Sequence, residues 1–310
     1  MGLPVVMIRG MLEAGKTYFL KDALLRRDFG DLPKILILSQ EDGTEEYEKE
    51  FLTEVNGVAV YLSQEEWNCN VVTELIRKHK PHVVFIECNE MWTQSEVEYP
   101  SYFDVQQVMC IIDSETFPYY FSAMRQLFVD MVKESEVVVL SRATESEQTS
   151  KTKKNIKMIN ATAEIIALDE NGAKLSFESD LPYDVNAPVI EIGTSEYGDF
   201  YIDTLESEQR YNGKTVLLTC QAFFSKKLPP KTFVAGRFAM TCCADDIQLL
   251  GHLASYSGKV SILNESWVKV KAVIHYTTFR GSPEKQIILD VLSVEPTTQL
   301  SYEEGLLTLK

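Results

Sequence analysis

The chain has 310 residues, of which 45% are hydrophobic and 25% are charged, a composition that excludes a disordered or fibrous protein. Thirty lysines and arginines against 46 aspartates and glutamates give a formal net charge of −16, which excludes a broad nucleic-acid-binding surface because such a surface needs clustered positive charge. Six cysteines are too few for a disulfide scaffold in a chain of this length.

Membrane insertion and secretion are not expected. No stretch reaches the roughly 18–20 uninterrupted apolar residues that a membrane-spanning helix needs. The first nine residues lack the basic leader and the apolar length of a signal peptide. We therefore expect a cytoplasmic protein with reduced cysteines, which would associate with a membrane only through a partner.

The first elements in chain order are a buried strand at 4–8, the sequence Gly-Met-Leu-Glu-Ala-Gly-Lys-Thr at 10–17, and a helix at 18–25. This G-x-x-x-x-G-K-T pattern between a strand and a helix is typical of a phosphate-binding loop. Its glycines let backbone N–H groups face an anion, and the helix adds its positive end. Lys16 would reach the outer phosphates, and the Thr17 hydroxyl would ligate Mg²⁺.

Strands and helices then alternate through the first half of the chain. Strands are expected at 34–38, 58–62, 82–87, 108–113, 136–141 and 164–168, and helices at 45–55, 71–80, 121–133 and 149–158. This alternation predicts an α/β domain with a mostly parallel sheet, as in P-loop NTPases. Ligands bind at the carboxyl ends of such strands, where Glu87 and Asp113 stand. We expect Glu87 to hold Mg²⁺ from the outer shell.

The second half has a different pattern. Two prolines and polar residues at 181–188 indicate an inter-domain connection. Strands are then expected at 215–224, 232–241, 249–255, 267–278 and 286–294. These five strands predict a small closed β-barrel most like an OB-fold. We therefore divide the chain into an NTPase domain at 1–175, a linker at 176–195 and an OB-like β domain at 196–310.

Six segments of the first half match a family pattern in order and spacing. They are Pro4 to Thr17 (family P-V-T-V-L-T-G-F-L-G-A-G-K-T), Ser39 to Gly43 (N-E-F-G), Phe85 to Asn89 (I-E-T-S-G), Cys110 to Phe117 (V-V-D-A-x-x-F), Val138 to Thr144 (N-K-x-D) and Ile159 to Ile165 (N-P-x-A-x-I). In these segments the chain resembles the CobW-type GTPases, whose relatives include the metal-insertion chaperones HypB and UreG.

The resemblance implies a nucleoside-triphosphatase that binds GTP or ATP with Mg²⁺ and serves metal handling. Lys16 and Glu87 would act in catalysis, Glu41 or Asp42 would move as the switch, and Thr17 and Glu87 would hold Mg²⁺. The residues implied to bind the nucleotide are Gly10, Glu13, Ala14, Gly15, Lys16, Thr17, Tyr18, Ser141 and Arg142.

The chain departs from the family pattern at three places. Ser141, Arg142 and Thr144 stand on the base-reading N-K-x-D motif, and a threonine cannot make the paired carboxylate contact to guanine. Base preference therefore stays open. The family's C-x-C-C metal motif is reduced to Cys69, which cannot bind a metal alone. The segment after Glu87 lacks the glycine that commonly meets the γ-phosphate, so hydrolysis could be slow or altered.

The second half resembles the C-terminal domain of the YcgQ-like family, which is implied to work beside a membrane permease. The matching segments are Tyr211 to Val216, Gly236 to Asp246 and Trp267 to Val270. Within them, Cys242, Cys243 and Asp245 combine thiolates with a carboxylate, a ligand set for Zn²⁺ or another transition metal. Adjacent strand residues point to opposite faces, so the competing interpretation is one core thiol and one loop thiol.

Three hypotheses follow. The first is an NTPase coupled to metal handling or to a membrane permease. The second is a non-catalytic adapter, regulated by nucleotide, whose barrel docks a partner. The third is a thiol-based metal-transfer adapter that uses Cys242 and Cys243. The partner would be a permease or a metalloprotein, nucleic acid is not expected, and the oligomeric state is open, a homo-oligomer included.

Overall fold

The computed structural model describes residues 2–92, 97–176, 181–241, 246–258, 262–278 and 285–308. The chain divides into two compact units. The first unit comprises Met1–Ile156 and Thr162–Phe177, and the second comprises Lys157–Ala161 and Glu178–Lys310. None of the described helices is long and apolar enough to cross a membrane.

The first half of the chain forms a seven-stranded parallel sheet in the order β3-β2-β4-β1-β5-β6-β7. In chain order, the elements are β1 (Leu3–Arg9), α1 (Lys16–Leu25), β2 (Ile35–Ser39), α2 (Lys49–Glu54), β3 (Gly57–Tyr61), α3 (Cys69–His79), β4 (Val83–Glu87), β5 (Phe103–Asp113), α4 (Phe117–Ala123), α5 (Arg125–Lys133), β6 (Val137–Ser141), α6 (Glu147–Ile159) and β7 (Glu164–Ala167). The predicted α/β architecture is confirmed.

The core of this unit lies on both faces of the sheet. Every residue of β2 and of β4 is buried, as expected for central strands of a parallel sheet covered on both sides. Successive residues point to opposite faces. Ile37 and Phe85 therefore pack in one apolar cluster with Leu20 of α1, whereas Leu36 and Val84 pack in a second cluster on the other face.

The central strands place their polar ends along one edge of the sheet. β1 lies between β4 and β5, and Ile8 is in register with Glu87 of β4. On one side, Ser39 of β2 is also in register with Glu87. On the other side, Asp113 of β5 is in register with Ser141 of β6. Because the strands are parallel, the segment that follows β1 emerges in the middle of this polar edge.

Two helices differ from the sequence-based expectation. The helix predicted at 45–55 begins only at Lys49, because residues before it make contacts outside a helix: Lys21 binds the Glu45 and Glu48 carboxylates at 2.6 and 2.7 Å. The helix predicted at 121–133 is two helices, α4 and α5. Met124 separates them, with a non-helical backbone of φ −132° and ψ 44°.

The second unit is built on a β-barrel. Its elements are β8 (Ile190–Ile192), a 3₁₀ turn (Thr194–Glu196), α7 (Tyr197–Glu206), α8 (Glu208–Tyr211), β9 (Thr215–Phe223), β10 (Thr232–Met240), β11 (Ile247–Ser255), β12 (Ser266–Thr278), β13 (Lys285–Pro296), α9 (Tyr302–Gly305) and β14 (Leu307–Thr308). The strand β8 lies inside the range that the sequence assigned to a linker.

Five strands of the second unit close into a barrel in the order β9-β10-β11-β13-β12, with β12 pairing back to β9. All neighbouring strands are antiparallel except β11 and β13, which are parallel. This strand order is that of an OB-fold. β9 alternates strictly between buried and half-buried residues, since one face lines the barrel core. The predicted five-stranded OB-like barrel is therefore confirmed.

Candidate functional site

The phosphate loop, residues 10–17, connects β1 to α1 and depends on its glycines. Gly10 has φ +141°, and a Cβ atom there would lie 2.4 Å from the Ile111 carbonyl oxygen. Gly15, at the start of α1, has φ +95°. Both values belong to a region that favours glycine. Glu13 adopts φ +61° without being glycine. The loop is therefore a tight turn whose shape depends on the two glycines of the predicted G-x-x-x-x-G-K-T pattern.

Lys16 is the most enclosed charge in this loop, with a side chain 3% exposed. Its ammonium donates to the Gly10 and Met11 carbonyl oxygens at 2.6 and 2.8 Å. It also lies 2.6 Å from Oε2 of Glu41, whose side chain is 9% exposed. The loop thus holds the lysine over its own backbone, and a carboxylate predicted as part of the switch caps it.

Burial raises the pKa of the Glu41 carboxyl, although the Lys16 ammonium opposes this effect. The charges of Glu87 and Glu90 raise that pKa further. Three carboxyl groups are therefore gathered near one ammonium. This arrangement favours the arrival of further positive charge.

The predicted Mg²⁺ residues, Thr17 and Glu87, are connected by a tyrosine that the sequence analysis missed. The Tyr47 hydroxyl donates to Oε1 of Glu87 at 2.7 Å, and the Thr17 side chain lies close enough to act on the pKa of Tyr47. Burial, followed by the charge of Glu87, raises the pKa of Tyr47 well above its usual value. Tyr47 gave no signal in the sequence because it lay within the helix predicted at 45–55.

The positions of Thr17 and Glu87 show whether Mg²⁺ fits this site. The Tyr47 hydroxyl bonds to Glu87 and lies near Thr17, so both side chains can converge on one oxygen-sized group. Mg²⁺ prefers oxygen ligands and commonly keeps several waters. A hydroxyl from the loop and a carboxylate from the neighbouring strand match that preference, and the residues present fit the ion.

Residues 39–48, here called the cover segment, are fastened to the phosphate loop and to α1 by several side chains. The Glu13 carboxylate accepts from the N–H and the hydroxyl of Thr44 at 3.2 and 3.0 Å. Lys21 of α1 binds Glu45 and Glu48. Asp42, the other predicted switch residue, is exposed. The cover segment therefore lies against the loop through more than the contact between Lys16 and Glu41.

The residues expected to read the base contact the phosphate loop. The Ser141 hydroxyl donates to the Ala14 carbonyl oxygen at 2.7 Å. Arg142 donates to the Glu13 carbonyl oxygen at 2.6 Å and pairs with Asp113 at 2.9 Å. Burial would raise the pKa of Asp113, but hydrogen bonds, first of all from Arg142, outweigh it and lower that pKa. Ser141 and Arg142 thus brace the loop from the β6 side.

A cavity of about 550 Å³ opens over the loop and includes Tyr18, which is half exposed. The cavity is also lined by Asp169 and Glu170, which follow β7 in the chain. No pattern in the sequence singled them out. The acidic residues that line it are Glu13, Asp22, Glu41, Asp42, Glu45, Glu46, Glu87, Asp169 and Glu170, and the basic ones are Lys16 and Arg142. The site is therefore strongly negative before any ligand binds.

The segment after β4 is held by a buried ion pair that sequence reasoning missed. Glu90 belongs to the segment after Glu87, which lacks the family's glycine. The Arg9 guanidinium donates to both oxygens of Glu90, from Nε at 2.9 Å and from Nη2 at 2.8 Å. The side chains are 7% and 0% exposed. Arg9 also pairs with Glu134, the residue that follows α5. Residues far apart in sequence thus fix the backbone beside Glu87.

The thiols of the described chain do not form a metal site. Burial raises the pKa of Cys88 to about 12, which disfavours a thiolate at this position. No group of three or more His, Cys, Asp or Glu residues suited to a metal occurs among the described residues. Cys242, Cys243 and Asp245 lie outside the described residues.

Arg237, part of the distinctive Gly236 to Asp246 segment, has a structural role. Its guanidinium donates to backbone carbonyl oxygens, including that of Thr194. It lies between the rings of Tyr197 and Trp267, at 5.4 and 5.7 Å from their centroids. The residue is 1% exposed. It therefore ties β10 to the turn before α7 inside the second unit and is not available to a ligand.

Comparison with known proteins identifies two families along the chain. The model of the CobW/HypB/UreG nucleotide-binding domain matches residues 4–167, which is just over half of the chain. The model of the DUF1980 C-terminal domain matches residues 167–302. This second match names no permease, and that link stays a prediction. No curated protein matches the chain.

Solved structures show remote similarity. Hydrogenase maturation factor HypB from Archaeoglobus fulgidus has 16% identity and a TM-score of 0.38, and the match covers 66% of this chain and 91% of that one. The Zn(II)-bound YjiA GTPase from E. coli has 12% identity and a TM-score of 0.40, over 94% of this chain and 89% of that one.

Proposed function

Since the chain belongs to the CobW/HypB/UreG family of nucleotide-binding proteins, we propose that it binds a purine nucleoside triphosphate with Mg²⁺ and hydrolyses the γ-phosphate. The observation that supports this most strongly is the phosphate loop itself. Its backbone turns at Gly10 and Gly15, and Lys16 is enclosed at the polar edge of the sheet. A loop of this shape presents N–H groups and one ammonium to phosphate.

Each residue of the site has a part in this proposal. The amides of residues 10–17 and the Lys16 ammonium bind the phosphates and offset their charge. Thr17 and Glu87 would hold Mg²⁺, which supplies additional positive charge to the β- and γ-phosphates when bound. Before nucleotide binds, Tyr47 holds the Glu87 carboxylate in place. Because nine carboxylate side chains line the cavity, a triphosphate needs that cation to enter.

We propose GTP as the preferred nucleotide. The position of the family's guanine-reading aspartate is Thr144, so that contact must come from elsewhere. Asp169 and Glu170 line the same cavity. Their carboxylates can accept from the N1–H and the exocyclic amine of guanine, whereas adenine has an acceptor at N1. The family membership supports the same choice.

Metal handling is the proposed setting for this activity, and a membrane permease or a metalloprotein is the proposed partner. Family resemblance supports both, and Cys242 and Cys243 are the candidate soft-metal ligands. Titration with Zn²⁺ tests the metal part. The variants Cys242→Ser and Cys243→Ser should each lower the bound stoichiometry, and an unchanged stoichiometry would remove these thiols from the proposal.

Single-turnover hydrolysis tests the enzyme proposal. We expect turnover of GTP, with ATP slower, and a loss on the order of 100-fold or more in Lys16→Ala, because the phosphate loses its charged donor. Lys34→Ala is the control, since Lys34 precedes β2 at the opposite edge of the sheet and should leave the rate unchanged. Equal rates in the wild-type protein and Lys16→Ala would contradict a reaction at this loop.

A non-catalytic adapter is the second candidate. The observation that favours it is Glu90, whose anchored carboxylate lies in the segment that lacks the glycine expected near the γ-phosphate. In that case the protein binds Mg-nucleotide and releases it uncleaved. Tight binding of GTP without phosphate release over hours would select this candidate over the enzyme.

A further inference from the structure

The Lys16 ammonium has three N–H donors, and the structure provides an acceptor for each. Two are the Gly10 and Met11 carbonyl oxygens, at 2.6 and 2.8 Å. The third is Oε2 of Glu41, at 2.6 Å. The carbonyls belong to the loop backbone, which must keep its turn. Glu41 is the one acceptor on a side chain, and hence the one that can leave without unfolding the loop.

Glu41 is brought to this place by its own backbone contacts. The Ser39 hydroxyl donates to the Glu41 carbonyl oxygen at 3.0 Å and accepts from the Glu41 N–H at 3.3 Å. The next position back, Gln40, donates from its N–H to the Glu87 carbonyl oxygen at 2.9 Å, and its side chain accepts from the Asn89 N–H at 3.1 Å. The carboxylate is therefore held at Lys16 from the ends of β2 and β4.

A second set of contacts holds the remainder of the cover segment in the same position. Thr44 bonds to Glu13 of the phosphate loop, and Lys21 binds two carboxylates of the segment. Glu41 thus approaches Lys16 as part of a docked segment. At the same time the charges of Glu87 and Glu90 lie near that of Glu41 and oppose part of its attraction to the ammonium.

We propose that Glu41 is an internal competitor for the outer phosphate, so that nucleotide binds only when this carboxylate leaves Lys16 and the cover segment is released. The inference rests on the proposed function, because it needs a phosphate to arrive at Lys16. Release of the cover segment and binding of nucleotide are then one event. A partner that binds the released segment therefore strengthens nucleotide binding. By linkage, nucleotide strengthens the binding of that partner by the same factor.

The test is the Kd of Mg-bound, non-hydrolysable GTP and ATP analogues for Glu41→Gln and Glu41→Ala. Both variants remove the competing charge, and we expect binding on the order of tenfold tighter than in the wild-type protein. Glu46→Gln is the matched control. It makes the same chemical change in the same segment beside the same cavity, without a contact to Lys16, and should leave the Kd unchanged within about twofold.

Guanosine monophosphate is the second probe, because it lacks the outer phosphates that Lys16 would meet. Its Kd should change less than about twofold in Glu41→Gln, whereas a general loss of negative charge would tighten it as much as the triphosphate. If the wild-type protein binds the analogues and neither Glu41 variant binds them more tightly, Glu41 is not a competitor for the phosphate. The proposed function would then still stand. No binding in the wild type or in any variant would overturn both.

Discussion

At Arg9 and Glu90, two charges stabilise each other inside the protein. The guanidinium makes two hydrogen bonds to a carboxylate that is 0% exposed. Burial by itself would lower the pKa of Arg9, but the hydrogen bond and charge of Glu90 and the charge of Glu134 raise it. Removing one member of such a pair leaves the other buried and unpaired.

We predict that Arg9→Met lowers the free energy of unfolding by about 3–5 kcal/mol. The double variant Arg9→Met/Glu90→Met should recover much of that loss, because no charge is then left buried. Glu134→Gln is the control. Its side chain is 71% exposed, so it should cost about 1 kcal/mol or less. Urea denaturation measures all three, and a double variant no more stable than Arg9→Met would contradict this account of the pair.

The residues of the site differ in how far the sequence could reveal them. Gly10, Lys16 and Thr17 form a local pattern, and local patterns can be read from one chain. The contact between Arg9 and Glu90 joins positions 81 residues apart, and Tyr47 reaches Glu87 over 40 residues. Such pairs depend on strand order, which a single sequence does not specify. Asp169 and Glu170 were missed for the same reason.

At the scale of elements, β11 carries a buried histidine with a consequence for pH. Nε2 of His252 lies 2.9 Å from the hydroxyl of Thr204 on α7, and that hydroxyl donates to the Tyr201 carbonyl oxygen. The hydroxyl therefore accepts from Nε2–H of a neutral imidazole. Burial lowers the pKa of His252 to about 4.

The second unit should therefore lose stability as pH falls. An unfolded histidine binds a proton near pH 6.5, whereas folded His252 binds one only near pH 4. Between these values the unfolded state holds more protons than the folded state. The free energy of unfolding therefore decreases as the pH is lowered, by about 2 kcal/mol from pH 7 to pH 5. Hydrogen exchange of the β11 amides, corrected for its intrinsic pH dependence, measures this loss.

Two variants separate His252 from other acid effects. His252→Gln should remove most of this pH dependence. His275→Gln, at a side chain 48% exposed, should keep it. The same loss of β11 protection in both variants would assign the pH dependence to other groups.

The elements also differ in how well the sequence predicted them. The five barrel strands were placed within a few residues because their turns and apolar runs are local signals. The helix α7 was not predicted, because Tyr197, Gly198 and Ile202 are poor helix formers. It forms through tertiary contacts: Tyr197 is buried, and its hydroxyl donates to the Ala235 and Leu250 carbonyl oxygens at 3.2 Å.

At the scale of the whole molecule, the chain joins two units of different character. The first carries the phosphate loop and the acidic cavity. The second is a barrel whose described polar core, at Arg237 and His252, is satisfied internally. The chemistry that the described residues support therefore lies in the first unit. In the proposed function, the second unit responds to the nucleotide state or binds the partner.

Hydrogen exchange with and without Mg-GTP tests nucleotide binding at the phosphate loop most directly, because it reports each segment of the full chain. We predict slower exchange at residues 10–17, where the amides bind phosphate, and faster exchange at residues 39–48, where Glu41 leaves Lys16. The same experiment on Lys16→Ala should show neither change. Unchanged exchange at residues 10–17 of the wild-type protein, at saturating Mg-GTP and Mg-ATP, would contradict the account.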